Sequence, residues 1–184
     1  SDLFTPGWTS YNKRLQYQTY DVSHMLQKEN AISAVVGDGW YRGHIGFGHQ
    51  HNFYGKKLAL LTQLRIDYTD GSSEVIGTDE SWKVTNNGPV IYSDIYKGER
   101  YDATKEHGKW QQAAFDDKNW VQATVANHTY NTLVASRSVP VRMINELKPL
   151  KKFTTPRGET VYDFGQNMVG WVKARLSGNK GDTI

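Results

Sequence analysis

Apolar and polar residues alternate along this chain with a period of two, and that alternation restricts the fold more than any other feature. Leu58, Leu60, Thr62, Leu64 and Ile66 alternate with Ala59, Leu61, Gln63 and Arg65, and Leu15, Tyr17 and Thr19 alternate with Gln16 and Gln18. Successive side chains of a strand point to opposite faces, so each run turns one face to a core and the other to water. Asp70-Gly71 follows the longer run and predicts a hairpin turn, with the return strand over 74–78. Further short strands are predicted over 31–36, 82–85, 121–125, 141–147, 161–164 and 171–176. No amphipathic helix of three turns is found, and single helical turns are predicted only at 23–26, capped by Ser23, and at 116–119. Many short strands punctuated by Gly, Asn and Asp predict an all-β fold, a β-sandwich or jelly roll.

Composition agrees. Hydrophobic residues make up only 38%, yet aromatics reach 12%, with six Trp and eleven Tyr. A disordered chain is poor in aromatics, so this one can bury a core or present flat faces to a ligand. The net charge of +3 comes from scattered Lys and Arg, without the basic block that nucleic-acid binding requires. No apolar run approaches the ~18 residues of a membrane span, and no signal peptide is visible. The absence of cysteine rules out disulfides and Cys-based zinc sites but leaves the compartment open, an exported location being favoured in a bacterium. Residues 1–150 are expected to form one β-domain. The stretch 148–158 breaks the strand pattern, and 151–184 would be the opening strands of a second module. The chain starts without Met and stops in Gly181-Asp182-Thr183-Ile184, a turn entering a strand, so both ends are expected to be cuts.

Gly37-Asp38-Gly39-Trp40-Tyr41-Arg42-Gly43 superficially suggests a dinucleotide-binding turn, but its third Gly comes one residue late and a Gly-aromatic loop follows instead of a helix. Two readings of this segment stand. Trp40 and Tyr41 offer flat faces to the C–H side of a pyranose, with Asp38 and Arg42 able to hydrogen-bond hydroxyls; or Trp40 belongs to the core and the glycines permit tight turns. His44, His49 and His51 share one loop, but without a third ligand at a diagnostic spacing, so solvated histidines are preferred to a metal site. Glu99 and Asp102 are too close in sequence to straddle a scissile glycosidic bond. They are read first as pinning their loop, second as calcium ligands, last as catalytic groups. Phe115-Asp116-Asp117-Lys118-Asn119-Trp120 reads as a capped turn with Phe115 and Trp120 packed inward. Asn127-His128-Thr129 fits a glycosylation sequon, and no nucleophile elbow or phosphate loop is present.

Taken in order, these segments resemble the N-terminal region of bacterial α-L-rhamnosidases. The resemblance rests on Pro6-Gly7-Trp8-Thr9-Ser10-Tyr11, Gln18-Thr19-Tyr20-Asp21-Val22, Val36 through Gly43, and Asp70-Gly71-Ser72. It continues through Asp79-Glu80-Ser81-Trp82-Lys83, Gly98-Glu99-Arg100-Tyr101-Asp102-Ala103 and Tyr162-Asp163-Phe164-Gly165-Gln166-Asn167-Met168-Val169-Gly170-Trp171. The resemblance implies a galactose-binding-like β-sandwich over 1–150, followed by the start of the next β-module. It also implies that catalysis belongs to a downstream (α/α)₆ barrel, so no catalytic residue is carried over. Some members of that family bind L-rhamnose through calcium in a sandwich of this type. Asp38, Glu99 and Asp102 are then the acidic candidates for the metal, and Asp38, Trp40, Tyr41 and Arg42 the sugar-binding candidates. A purely structural spacer bracing the barrel, an independent lectin-like module and a complete small hydrolase are the rival functions. The Tyr162–Trp171 segment speaks against the lectin, and the lack of paired carboxylates against the hydrolase.

Overall fold

A computed structural model describes residues 2–46, 48, 50–179 and 181–183. The all-β class is what it shows. Ten strands pair as five two-stranded sheets among the described residues, with three short 3₁₀ turns and a single helical turn, α1 (Gly39–Arg42). The chain divides into one unit over Ser1–Val141 and another over Arg142–Ile184.

The first unit carries eight strands. β1 (Leu15–Tyr17) pairs in parallel with β8 (Leu133–Ala135), Leu15 opposite Leu133, and the Ser136 N–H extends the pairing onto the Tyr17 carbonyl at 2.9 Å. β2 (Gln63–Asp67) and β3 (Ser73–Gly77) form the hairpin announced by Asp70-Gly71. Gly71 takes φ +88, which a residue with a Cβ adopts only under strain, and its N–H reaches the Tyr68 carbonyl at 3.1 Å. The two-residue period holds: Leu64 and Ile66 face inward while Gln63, Arg65 and Asp67 face out. With Ile76, those two residues line a groove closed by Leu26, Ile32 and Trp82. The 31–36 stretch forms no ladder among the described residues. Its Ile32 covers that groove instead, because alternation specifies which face is apolar but not which backbone will supply hydrogen bonds.

β4 (Lys83–Val84) pairs with β7 (Val121–Gln122), and Trp82 donates from its indole to the Gly77 carbonyl at 3.1 Å. The Phe115–Trp120 segment packs as expected, though as a turn rather than a helix. The Trp120 N–H reaches the Asp117 carbonyl at 2.9 Å, and the Trp120 ring stands 5.5 Å from Phe115 and 6.4 Å from Trp110. β5 (Val90–Asp94) and β6 (Gly98–Tyr101) form a hairpin that the sequence pattern conceals. An irregularity between Val90 and Tyr92 shifts the register, and the inward position at the end of β5 is filled by an aspartate.

In the second unit, β9 (Lys151–Thr154) and β10 (Thr160–Asp163) form another hairpin, Phe153 opposite Val161. The stretch read as a break in the pattern therefore supplies a strand. Its four residues are all exposed, so no apolar face marks it. Lys152 instead lies over the Tyr162 ring, 5.5 Å from the centroid. The segments 141–147 and 171–176 form no strands among the described residues, apart from a single bridge between Leu3 and Val141.

Candidate functional site

Only Tyr11, Gly43 and Asp94 are buried among the described residues, and all three surround the turn over residues 38–44. The turn is built from its glycines. Gly39 takes φ +50, and a Cβ on Gly43 would collide with the Gly39 carbonyl and stand 2.8 Å from the Asp94 carboxylate. Asp38 precedes the helical turn without capping it. Its Oδ1 accepts instead from Arg42, at 2.6 Å from Nε and 2.5 Å from Nη2, an i,i+4 ion pair worth about 0.3–0.5 kcal/mol.

Asp94 ties this turn to the β5–β6 hairpin. Its Oδ2 accepts from the His44 backbone N–H at 2.7 Å and lies 2.9 Å from His44 Nδ1, while Oδ1 accepts from the N–H groups of Tyr96 at 2.8 Å and Lys97 at 3.1 Å. Burial alone would raise the Asp94 pKa. The hydrogen bonds from His44 and Tyr96, together with the His44 charge, outweigh burial and hold it below the usual carboxylate value. Tyr92, on the same strand, is raised by desolvation first and then by the negative charges of Asp94 and Asp38.

The four sugar-binding candidates separate three ways. Asp38 and Arg42 engage each other. Tyr41 packs into an aromatic cluster, 5.9 Å from Tyr11 and stacked 6.4 Å from Tyr54, with Tyr54 edge-on to Tyr11 at 4.9 Å. Tyr11 anchors the cluster by donating to the Gly7 carbonyl at 3.0 Å, and burial followed by Tyr54 raises its pKa. Trp40 takes the other direction. It lies 6.3 Å from Phe4 and lines an open cleft of about 650 Å³ together with Trp8, Tyr17 and Tyr20. Of these, Trp8, Tyr17 and Tyr20 were not singled out as site candidates from sequence, although they fall in the aromatic-rich opening segment.

Each of the three acidic candidates has its own local setting, Asp38 being paired with Arg42. Glu99 is exposed on β6, opposite Ser93. Asp102 caps the turn over Ala103–Lys105, accepting from Thr104 N–H at 3.0 Å and Thr104 Oγ1 at 2.6 Å, bonds that lower its pKa. Among the described residues no three His, Asp or Glu side chains form a group suited to a metal ion. The His44 and His51 rings lie 5.5 Å apart, and His49 lies outside the described residues.

The Asp102–Thr104 contact belongs to a recurring device that sequence reasoning missed. Asp70 accepts from the N–H and hydroxyl of Ser72, Asp79 likewise from Ser81, and Asp21 from the N–H of Ser23. The signal was a carboxylate two residues before Ser or Thr, repeated at four turns.

Residues 1–145 match the model of the α-L-rhamnosidase N-terminal domain, and residues 153–184 match the bacterial α-L-rhamnosidase concanavalin-like domain. An α-L-rhamnosidase of Streptomyces avermitilis is 44% identical over 186 aligned positions, covering 100% of this chain and 18% of the relative. The native α-L-rhamnosidase of Aspergillus terreus superposes with a TM-score of 0.84 at 38% identity, over 92% of this chain and 20% of that one. A Streptomyces avermitilis α-L-rhamnosidase solved with L-rhamnose superposes with a TM-score of 0.79 at 38% identity, over 91% of this chain and 16% of that one. The chain thus spans about a fifth of the length of the proteins it matches. It belongs to the α-L-rhamnosidase family, whose N-terminal domain it carries over residues 1–145.

Proposed function

We propose that this chain is a non-catalytic accessory segment of an enzyme that removes terminal α-L-rhamnose from glycosides or plant polysaccharides, and that it engages carbohydrate through the 38–42 turn. The observation that carries the reading is its alignment from end to end with only 18% of an α-L-rhamnosidase. On this reading the reaction belongs to the remaining part of such an enzyme, in its catalytic barrel. The turn carries the groups that recognition of a neutral sugar needs: the indole of Trp40 as a flat apolar face, and the paired Asp38 and Arg42 as fixed hydrogen-bonding groups on the same helical turn. The relative solved with L-rhamnose supports that sugar as the first ligand to test. Calcium belongs to the same reading as an accessory ion, with Asp38, Glu99 or Asp102 contributing one oxygen each and backbone carbonyls the rest of the six to eight it requires.

Calorimetric titration with L-rhamnose, repeated with calcium and then with chelator, tests the proposal once circular dichroism has shown the chain to be folded. Binding heat is expected, with the dissociation constant weakened about fivefold by Arg42→Ala, or about 1 kcal/mol. Heat that vanishes with chelator assigns the ion a part in binding. A folded chain that gives no heat under any of these conditions overturns the binding reading and leaves a structural brace for the catalytic barrel.

A further inference from the structure

The geometry points to a second contact surface: the cleft beside Trp40 is a subsite for a neutral pyranoside, walled by Trp8, Tyr17, Tyr20 and Trp40. The inference rests on the carbohydrate reading above and places the ligand where that reading did not. Three observations carry it.

The first is how the rings are exposed. Trp8, Tyr17 and Tyr20 are 57%, 47% and 55% exposed, and all three line the cleft. Exposed rings occur elsewhere in the chain, but here several gather around one concavity, where they offer flat faces to a ring bearing axial C–H bonds.

The second is the scaffold beneath them. The Trp8 indole donates to the Tyr54 hydroxyl at 3.1 Å, which ties it to the aromatic cluster. Tyr17 lies on β1, fixed by its pairing with β8, and the Tyr20 hydroxyl donates to Asp2 at 3.2 Å. The bridge from the Leu3 N–H to the Val141 carbonyl, at 2.8 Å, closes the far side. Walls held in this way bind without a large ordering cost.

The third is chemistry. Gln16, Gln18, Ser136 and Ser138 border the aromatic faces with amides and hydroxyls, the donors and acceptors that sugar hydroxyls require. Asp2 is the sole charged residue among the described lining residues, so a phosphate, a nucleotide or a uronic acid would meet no cation there. A volume of about 650 Å³ falls in the ordinary range of small-ligand pockets and accommodates one or two pyranose rings.

The test is a tryptophan-fluorescence titration of the chain with methyl α-L-rhamnopyranoside, and with galacturonate as the charged comparison. Three variants are compared, each checked for fold by circular dichroism. Trp8→Ala removes one wall, Ser138→Trp fills the cleft without removing a packed side chain, and Arg42→Ala alters the turn alone. The expected result is saturable binding of the rhamnoside, about tenfold weaker in Trp8→Ala, abolished in Ser138→Trp and weakened no more than about fivefold in Arg42→Ala, with no response to galacturonate. If Trp8→Ala does not fold, Ser138→Trp decides. Binding that survives Ser138→Trp but is lost in Arg42→Ala overturns the cleft and keeps the carbohydrate reading. Equal binding of galacturonate overturns the assignment to a neutral ligand. A folded parent chain that binds neither sugar overturns both.

Discussion

Replacing the Asp94 carboxylate removes in one step the acceptor used by the His44 backbone and ring and by the N–H groups of Tyr96 and Lys97. Buried donors left without a partner cost more than an average hydrogen bond returns, so Asp94→Ala is expected to lower stability by about 3 kcal/mol in urea denaturation. Asp94→Asn keeps the acceptor at Oδ1 and should lose less. The sign of the pH effect follows from the lowered pKa. Ionised Asp94 stabilises the fold above the ordinary carboxylate pKa, and that contribution disappears as the pH falls through its depressed folded value. Gly43 has a different constraint. Its φ is unremarkable, but a Cβ has no room between the Gly39 carbonyl and Asp94, so Gly43→Ala should cost about 1–3 kcal/mol by the same assay. Arg65 and Asp67, by contrast, pair at 3.0 Å with both side chains about two-thirds exposed, and Arg65→Ala should shift stability by less than about 0.5 kcal/mol. From sequence, Gly43 was visible as part of a glycine-rich turn, whereas nothing in the sequence pattern marked Asp94. Its importance comes from His44, fifty positions away.

At the scale of elements, turns are fixed more uniformly than strands. Asp21, Asp70, Asp79 and Asp102 each accept from a Ser or Thr two residues on, and these hydrogen bonds lower all four pKa values. A carboxylate whose folded pKa is depressed stabilises the fold above its unfolded pKa and ceases to do so as the pH drops through the folded one. An acid titration followed by circular dichroism is therefore expected to show loss of structure below the ordinary aspartate range, beginning earlier when Asp70 or Asp79 is changed to Asn. The β2–β3 hairpin was legible because Asp70-Gly71 specifies a turn and the Leu64/Ile66 alternation specifies a face. The β5–β6 hairpin was not, because the inward position that would carry an aliphatic residue carries Asp94. The β9 strand was hidden for the opposite reason: all four of its residues are exposed, and an element with no buried face leaves no periodicity to read.

For the whole molecule, the main feature is how little of its apolar surface the two units enclose. Val139, Ile144, Val169 and Val172 are 91%, 87%, 101% and 86% exposed, and among the described residues the only buried ring is Tyr11. Exposed apolar surface on this scale is expected to bind a hydrophobic dye such as anilinonaphthalene sulfonate at neutral pH. Replacing Ile144 and Val172 with Ser should reduce that fluorescence without changing the far-ultraviolet spectrum. The sequence by itself determined the β class, the hairpin at Asp70-Gly71, the inward packing of Phe115 and Trp120 and the family. Each is written in local chemistry: a period of two, a residue able to take φ > 0, a capped turn and an ordered set of short motifs. Only the tertiary structure decided that Trp40 lines a cleft while its neighbour Tyr41 joins the aromatic cluster, that Asp94 fastens the 38–44 turn, and that Asp102 caps its own turn. Those outcomes depend on which distant backbone supplies the partner, and a one-dimensional pattern encodes which face is apolar without encoding what that face will meet.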